Sequence, residues 1–158
     1  MNLSHFTSKS MLTPYSESQT GRRGDKPDGL WVSVDGPDDW ESWCRSEEYV
    51  DIDAMNRFGI ILSPKASVLV LESVASLREF HARWALSDWN VDWRGVSRRW
   101  QGIIITPYQW ACRLTEPSWY YTWDCASGCI WDSSAIADVI PVRVNVVPVA
   151  LVVGWWVR

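Results

Sequence analysis

Lys26-Pro27-Asp28-Gly29-Leu30-Trp31-Val32-Ser33-Val34 is the stretch on which the fold turns. Pro27, Asp28 and Gly29 are turn residues, each for its own reason. Proline presets φ, the Asp side chain bonds nearby backbone, and glycine accepts conformations that other residues avoid. Residues 29–34 then alternate, and a period of two is the mark of a half-buried strand. Leu30, Val32 and Val34 form the apolar face; Trp31 and Ser33 point the other way. A strand with one apolar face and one mixed face belongs in an antiparallel sheet.

Short segments of the same kind lie on either side. Residues 3–7 (LSHFT) read as a first strand, with Leu3, His5 and Thr7 on one face and Ser4 and Phe6 on the other. Residues 8–28 are polar and broken by Pro14, Gly21, Gly24 and Pro27. A loop of this length exceeds what a compact domain spends on a connection, and long ordered loops tend to bind something. After the turn Asp35-Gly36-Pro37-Asp38, either Asp38 or Asp39 can cap a helix near residues 40–48. Trp40, Trp43 and Cys44 share one stripe of it, an arrangement expected of core. Residues 57–62 and 67–71 flank Ser63-Pro64 and read as a strand pair. Residues 73–85 read as an amphipathic helix with Val74, Leu77, Phe80 and Trp84 on its apolar stripe. His81 falls beside that stripe and reads as a surface or hydrogen-bonded core residue.

Farther on, residues 93–100 predict a short helix, and residues 102–106 (GIIIT) a fully apolar central strand. A helical turn is expected at 108–114. Residues 119–124 alternate as an aromatic strand, with Trp119, Tyr121 and Trp123 facing one way and Tyr120, Thr122 and Asp124 the other. Ser127-Gly128 reads as a turn, and Asp132 or Ser133 as the cap of a last short helix near 135–138. The predicted fold is α+β: mostly antiparallel short strands with three to four peripheral helices. No internal repeat, Gly-x-Gly-x-x-Gly loop, Walker loop, Gly-x-Ser-x-Gly elbow or His-Glu-x-x-His pair occurs.

Length predicts a single compact domain over residues 1–138, followed by an apolar, Val-rich strand or tail over 139–158. Pro141, Arg143, Asn145 and Pro148 interrupt that tail, so it does not read as a membrane span. A net charge of −4 argues against a general nucleic-acid binder, whose footprint is basic. Arg22/Arg23 and Arg94/Arg98/Arg99 read as solvated faces. The N-terminal residues lack the charged and apolar regions of a secretory signal, so a cytoplasmic protein with free thiols at Cys44, Cys112, Cys125 and Cys129 is expected. No histidine near Cys125 and Cys129 completes a zinc set, and no metal is expected. Thirteen tryptophans in 158 residues mean either a core of rings or a pocket that stacks planar ligands.

Three strand faces carry the candidate chemistry: His5/Thr7, Trp31/Ser33 and Tyr120/Thr122/Asp124. If the strands are neighbours, these groups line one cleft holding an imidazole, hydroxyls, flat rings and a carboxylate, a set suited to a nucleotide. Otherwise they face solvent on a sheet surface.

His5-Phe6-Thr7-Ser8, followed after the long loop by Lys26-Pro27-Asp28-Gly29-Leu30-Trp31-Val32-Ser33, resembles the opening of ADP-ribosyltransferase-like folds. The resemblance implies a split two-sheet core of short strands and NAD as substrate. It implies that His5 and Thr7 bind the dinucleotide, with His5 on its adenosine-side ribose. Trp31 or Tyr120 would stack near the nicotinamide, and Ser33 would orient the amide or ribose. Asp124 would stabilise the oxocarbenium-like state, with a host macromolecule as the acceptor. The sequence departs from that pattern at Phe6, where many members carry Gly, and at Asp124, where many carry Glu. The run 3–138 also resembles a group of uncharacterised phage and bacterial proteins, through Gly-Leu-Trp-Val-Ser, Trp-x-x-Trp-Cys, Gly-Ile-Ile-Ile-x-Pro-Tyr and Trp-Asp-Cys-Ala-Ser-Gly-Cys-Ile-Trp. That likeness implies no activity. The alternative is a non-enzymatic interaction protein whose Trp-rich surfaces bind a partner protein. Single-strand nucleic-acid stacking stands third, because that mode needs a basic groove.

Overall fold

The computed structural model describes residues 1–142. The alternating segments form strands β1 (Leu3–Thr7) and β2 (Leu30–Val34), paired antiparallel with Leu3 opposite Val34. Helix α1 (Trp40–Ser46) starts at Asp39, whose carboxylate accepts from the Ser42 N–H at 2.8 Å. Strands β3 (Asn56–Leu62) and β4 (Val68–Leu71) follow. Helix α2 (Val74–Trp84) is entered through a reciprocal cap between Ser73 and Ser76. A small ribbon of β5 (Ala85–Ser87) and β6 (Asn90–Val91) leads to α3 (Trp93–Ser97), capped by Asp92 on the Gly95 N–H at 2.9 Å. Strands β7 (Gly102–Ile105), β8 (Ser127–Ile130) and β9 (Ile136–Val142) complete the described chain. The expected strand or tail over 139–158 enters β9 up to Val142; residues 143–158 lie outside the described residues.

The fold is α+β, as expected. Among the described residues, seven strands form one sheet in the order β4-β7-β8-β2-β1-β3-β9, continuous rather than split in two, and there are three α-helices. Its neighbours run antiparallel except β4 and β7, which are parallel. The expected pairing of 57–62 with 67–71 is therefore overturned. Strand β3 lies between β1 and β9, while β4 crosses to the far edge. A parallel pair needs a long crossover, and the chain through α2 and α3 supplies it. The near-continuous apolar runs VLVL and GIII suit such a pair better than a hairpin.

Three further expectations fail, the first two in mostly buried segments where period and turn signals are hidden, the third because residues 136–138 pair with β3. The supposed aromatic strand at 119–124 is mainly a 3-10 turn (Ser118–Thr122), closed by the Trp123 N–H on the Tyr120 carbonyl at 2.9 Å. Trp119, Tyr120 and Trp123 all point inward and only Tyr121 is exposed. Ser127-Gly128 is not a turn but the start of β8, where a Cβ on Gly128 would sit 2.5 Å from the Ile103 carbonyl oxygen. Glycine is there for close strand approach. The last helix shrinks to a 3-10 turn (Ser133–Ala135) capped by Asp132, and residues 136–138 belong to β9.

The interior is built from rings. Trp93 and Trp119 meet edge to face at 6.0 Å, and Phe80 packs against both. The Trp119 N–H donates to His81 Nδ1 at 3.2 Å, which makes His81 a hydrogen-bonded structural residue. The Trp131 N–H donates to the Trp100 carbonyl at 2.6 Å. Trp40 and Trp43 are only half-buried, contrary to the core reading, and stack on each other at 5.0 Å beside Tyr49. Trp84 is half-buried as well and meets Trp100 edge-on. All four cysteines are buried free thiols. No helix among the described residues is long and apolar enough to cross a membrane.

Candidate functional site

A cleft of about 320 Å³ opens where β1, β2, the start of α1 and the chain entering β8 meet. His5, Trp31, Ser33 and Asp124 all line it. These four come from three separate segments, and the sheet order brings the first two strands side by side.

His5 is held across the strand pair: its Nδ1 lies 2.7 Å from the Trp31 carbonyl oxygen. A carbonyl only accepts, so Nδ1 carries the proton and donates. Burial pushes the His5 pKa down, opposed by the Trp31 carbonyl and helped by the charge of Lys9. The neutral ring that results keeps Nε2 as an acceptor, suited to a ligand hydroxyl. Trp31 beside it stands edge to face with Trp123, 4.9 Å between centroids. Ser33 Oγ accepts from the Trp40 N–H at 2.9 Å, which ties β2 to the start of α1 and leaves the hydroxyl proton free to donate. Asp124 faces the cleft on one side and lies 3.6 Å from Arg113 Nη1 on the other. Arg113 in turn donates to the Tyr108 hydroxyl at 2.8 Å, fixing the guanidinium behind the carboxylate.

Three expected members are elsewhere, among them Thr122, whose hydroxyl donates to the Trp119 carbonyl at 3.1 Å within the 3-10 turn. Tyr120 is fully buried; its hydroxyl accepts from the Gln109 N–H at 2.9 Å, and burial pushes its pKa far up. The strand alternation that aimed it into the cleft does not exist. Thr7 lies at the outer end of β1, opposite Asn56, where its hydroxyl accepts from the Lys9 N–H at 3.3 Å.

Several lining groups escaped the sequence reading. Trp123 and Trp40 wall the cleft as well as packing. Arg23 and Lys26 enter from the long loop. The loop is held by a clasp: Gln19 Nε2 donates to the Asp28 carbonyl at 2.6 Å, and the Asp28 N–H donates to Gln19 Oε1 at 2.9 Å. Thr20 adds its N–H and hydroxyl on the Asp28 carboxylate at 2.9 and 2.7 Å, contacts that hold the Asp28 pKa below the usual carboxylate range. Arg94 binds the Gln19 and Thr20 carbonyls, and the Trp93 indole and Val91 N–H both donate to the Gly24 carbonyl. Any Cβ at Gly24 would collide with Asn90. Only the short spacing from Gln19 to Asp28 hinted at this closure in sequence.

Behind the cleft, Arg57 donates from Nε to Ser4 Oγ at 2.9 Å and pairs with Asp35 at 2.8 Å and Glu41 at 3.4 Å. It thereby fastens β3, β1 and α1 together under the site. Among the described residues, no group of three or more His, Cys, Asp or Glu side chains converges as a metal site. Comparison with protein-family models, curated proteins and solved structures finds no match to this chain.

Proposed function

We propose that the cleft binds NAD and that the chain is an ADP-ribosyltransferase-like enzyme, transferring ADP-ribose to a macromolecular acceptor and releasing nicotinamide. One observation carries the reading: His5, Trp31, Ser33 and Asp124, distant in sequence, line a single cleft. The Nε2 lone pair of neutral His5 accepts from a ribose hydroxyl. Trp31 offers ring surface to a planar group, backed by the buried Trp123, and the Ser33 hydroxyl donates to an amide or ribose oxygen. Asp124 faces the anomeric carbon. As the C–N glycosidic bond breaks, its electron pair goes to the pyridinium nitrogen, so nicotinamide leaves neutral. Positive charge builds on the ribose, where a carboxylate stabilises it. The acceptor nucleophile then bonds to that carbon and loses its proton to solvent.

The test is nicotinamide release from NAD, followed by chromatography, with labelled ADP-ribose on the acceptor as second readout. Asp124→Asn keeps the shape and removes the charge, so the rate falls by about 100-fold or more, the scale for losing one such electrostatic group. His5→Ala weakens NAD binding chiefly. Release no faster than in buffer at millimolar NAD, with a folded protein, refutes the enzyme.

A second reading rests on a different observation. Trp110, Leu114 and Tyr121 are 61%, 81% and 49% exposed on the segment leading to Asp124. Exposed aromatics of this kind suit binding of a partner protein. A partner lost with Trp110→Ser, in a protein that consumes no NAD, favours this alternative.

A further inference from the structure

Lys26 is electrostatically unfinished. Its side chain is half-buried in the cleft, with the ammonium 5.2 Å from the centroid of the Trp31 ring. Among the described residues it makes no hydrogen bond and no ion pair, whereas its neighbour Arg23 pairs with Asp25 at 3.2 Å. Asp124 is near enough to favour its charge, but burial outweighs that and lowers the Lys26 pKa. The ammonium thus rests over the Trp31 ring within the cleft. The backbone on either side is pinned, by the Gln19–Asp28 clasp and by the Gly24 carbonyl on Val91 and Trp93. What can move is the flexible four-carbon stem of Lys26 itself.

We propose that Lys26 is the anion-recognising residue of this cleft: it covers Trp31 when the cleft is empty and swings onto a phosphate when a nucleotide stacks there, so the cleft selects phosphorylated nucleotides over nucleosides. This rests on the nucleotide reading of the same site and specifies what the ligand must carry. An uncharged ligand has to displace the ammonium from the ring and gives it nothing in return. A phosphate supplies a charge-assisted hydrogen bond at the moment the cation–π contact is lost. Both effects favour the phosphorylated ligand.

Calorimetric titration of the full chain with ADP-ribose, AMP, adenosine and inorganic pyrophosphate tests it. Wild type binds ADP-ribose at least about tenfold more tightly than adenosine, the worth of one good charged contact. Lys26→Met shrinks that ratio to about threefold or less, by weakening ADP-ribose while adenosine binds equally or more tightly, and flattens the salt dependence. Lys26→Arg retains the preference. A ratio unchanged in Lys26→Met overturns the proposal, as does pyrophosphate binding that is indifferent to Lys26. Phosphate-selective binding without nicotinamide release from NAD sinks the transferase and leaves Lys26 its role. Release without phosphate selectivity does the reverse, and absence of binding by all four ligands sinks the role of Lys26, while the transferase stands or falls by nicotinamide release.

Discussion

Replacing Gln19 by Ala removes the clasp that closes the loop carrying Arg23 and Lys26. Gln19 is 7% exposed, so its amide bonds are not readily replaced by water. Two bonds vanish, at 2.6 and 2.9 Å, both to the backbone of Asp28. A net value of about 1 kcal/mol each gives about 2 kcal/mol of loop closure lost. That multiplies the population of the opened loop by about 30. The Thr20 contacts to the Asp28 carboxylate survive, as do the Arg94 bonds to the Gln19 and Thr20 carbonyls, so the loop loosens rather than detaches. Limited proteolysis with trypsin reads this directly, because Arg22 and Arg23 lie inside the clasp. Where reclosing is faster than cleavage, the rate follows the open population, so cleavage there rises by about 30-fold. The global melting temperature drops by only a few degrees, since the sheet is untouched. A cleavage rate within about threefold of wild type, well under the expected rise, refutes the idea that this clasp orders the loop.

Other outcomes follow from the same geometry. The His5 pKa is lowered in the folded state, so the unfolded chain takes up the proton more readily. Its contribution to stability is complete above the unfolded value of about 6.5 and is lost as pH falls from there through the folded pKa. Urea titrations between pH 7.5 and 5 will show His5→Gln losing less stability than wild type, and parallel pH curves would be the contrary result. Trp119→Ala empties a fully buried site beside Phe80, Trp93 and Trp123 and strips His81 of its donor. It costs about 3–5 kcal/mol, or roughly 10 °C in a thermal melt. Trp110→Ala, at a 61% exposed position, costs less than about 1 kcal/mol in the same melt. Equal costs at the two positions would overturn the division between interior and surface tryptophans.

Much of the site was legible because it sits on two well-patterned strands. His5, Trp31 and Ser33 were picked out on strands that do form, but the Ser4–Ser33 pairing puts Ser4 rather than His5 on the Ser33 face, and His5 reaches the cleft through its bond to the Trp31 carbonyl. Asp124 was placed in the cleft by a strand that does not form; it lines the cleft because Trp123 and the buried 3-10 turn deliver it there. Tyr120 was lost by the same error. Arg23 and Lys26 were invisible because a charge in a polar loop looks solvated until the loop's closure is known.

By itself the sequence determined what local physics controls: where β1, β2, α2, α3 and β7 run, and which faces of them are apolar. Backbone period, caps and turn residues act within a few positions, so they can be read along the chain. The tertiary structure decided which strands pair, sending β4 to β7 rather than β3, and turned Gly128 from a turn residue into a close-packed strand residue. It also decided that His5, Trp31, Ser33, Asp124 and Lys26 share one cleft. Those outcomes depend on burying apolar faces from distant segments against one another, and that energy is settled only when the segments meet.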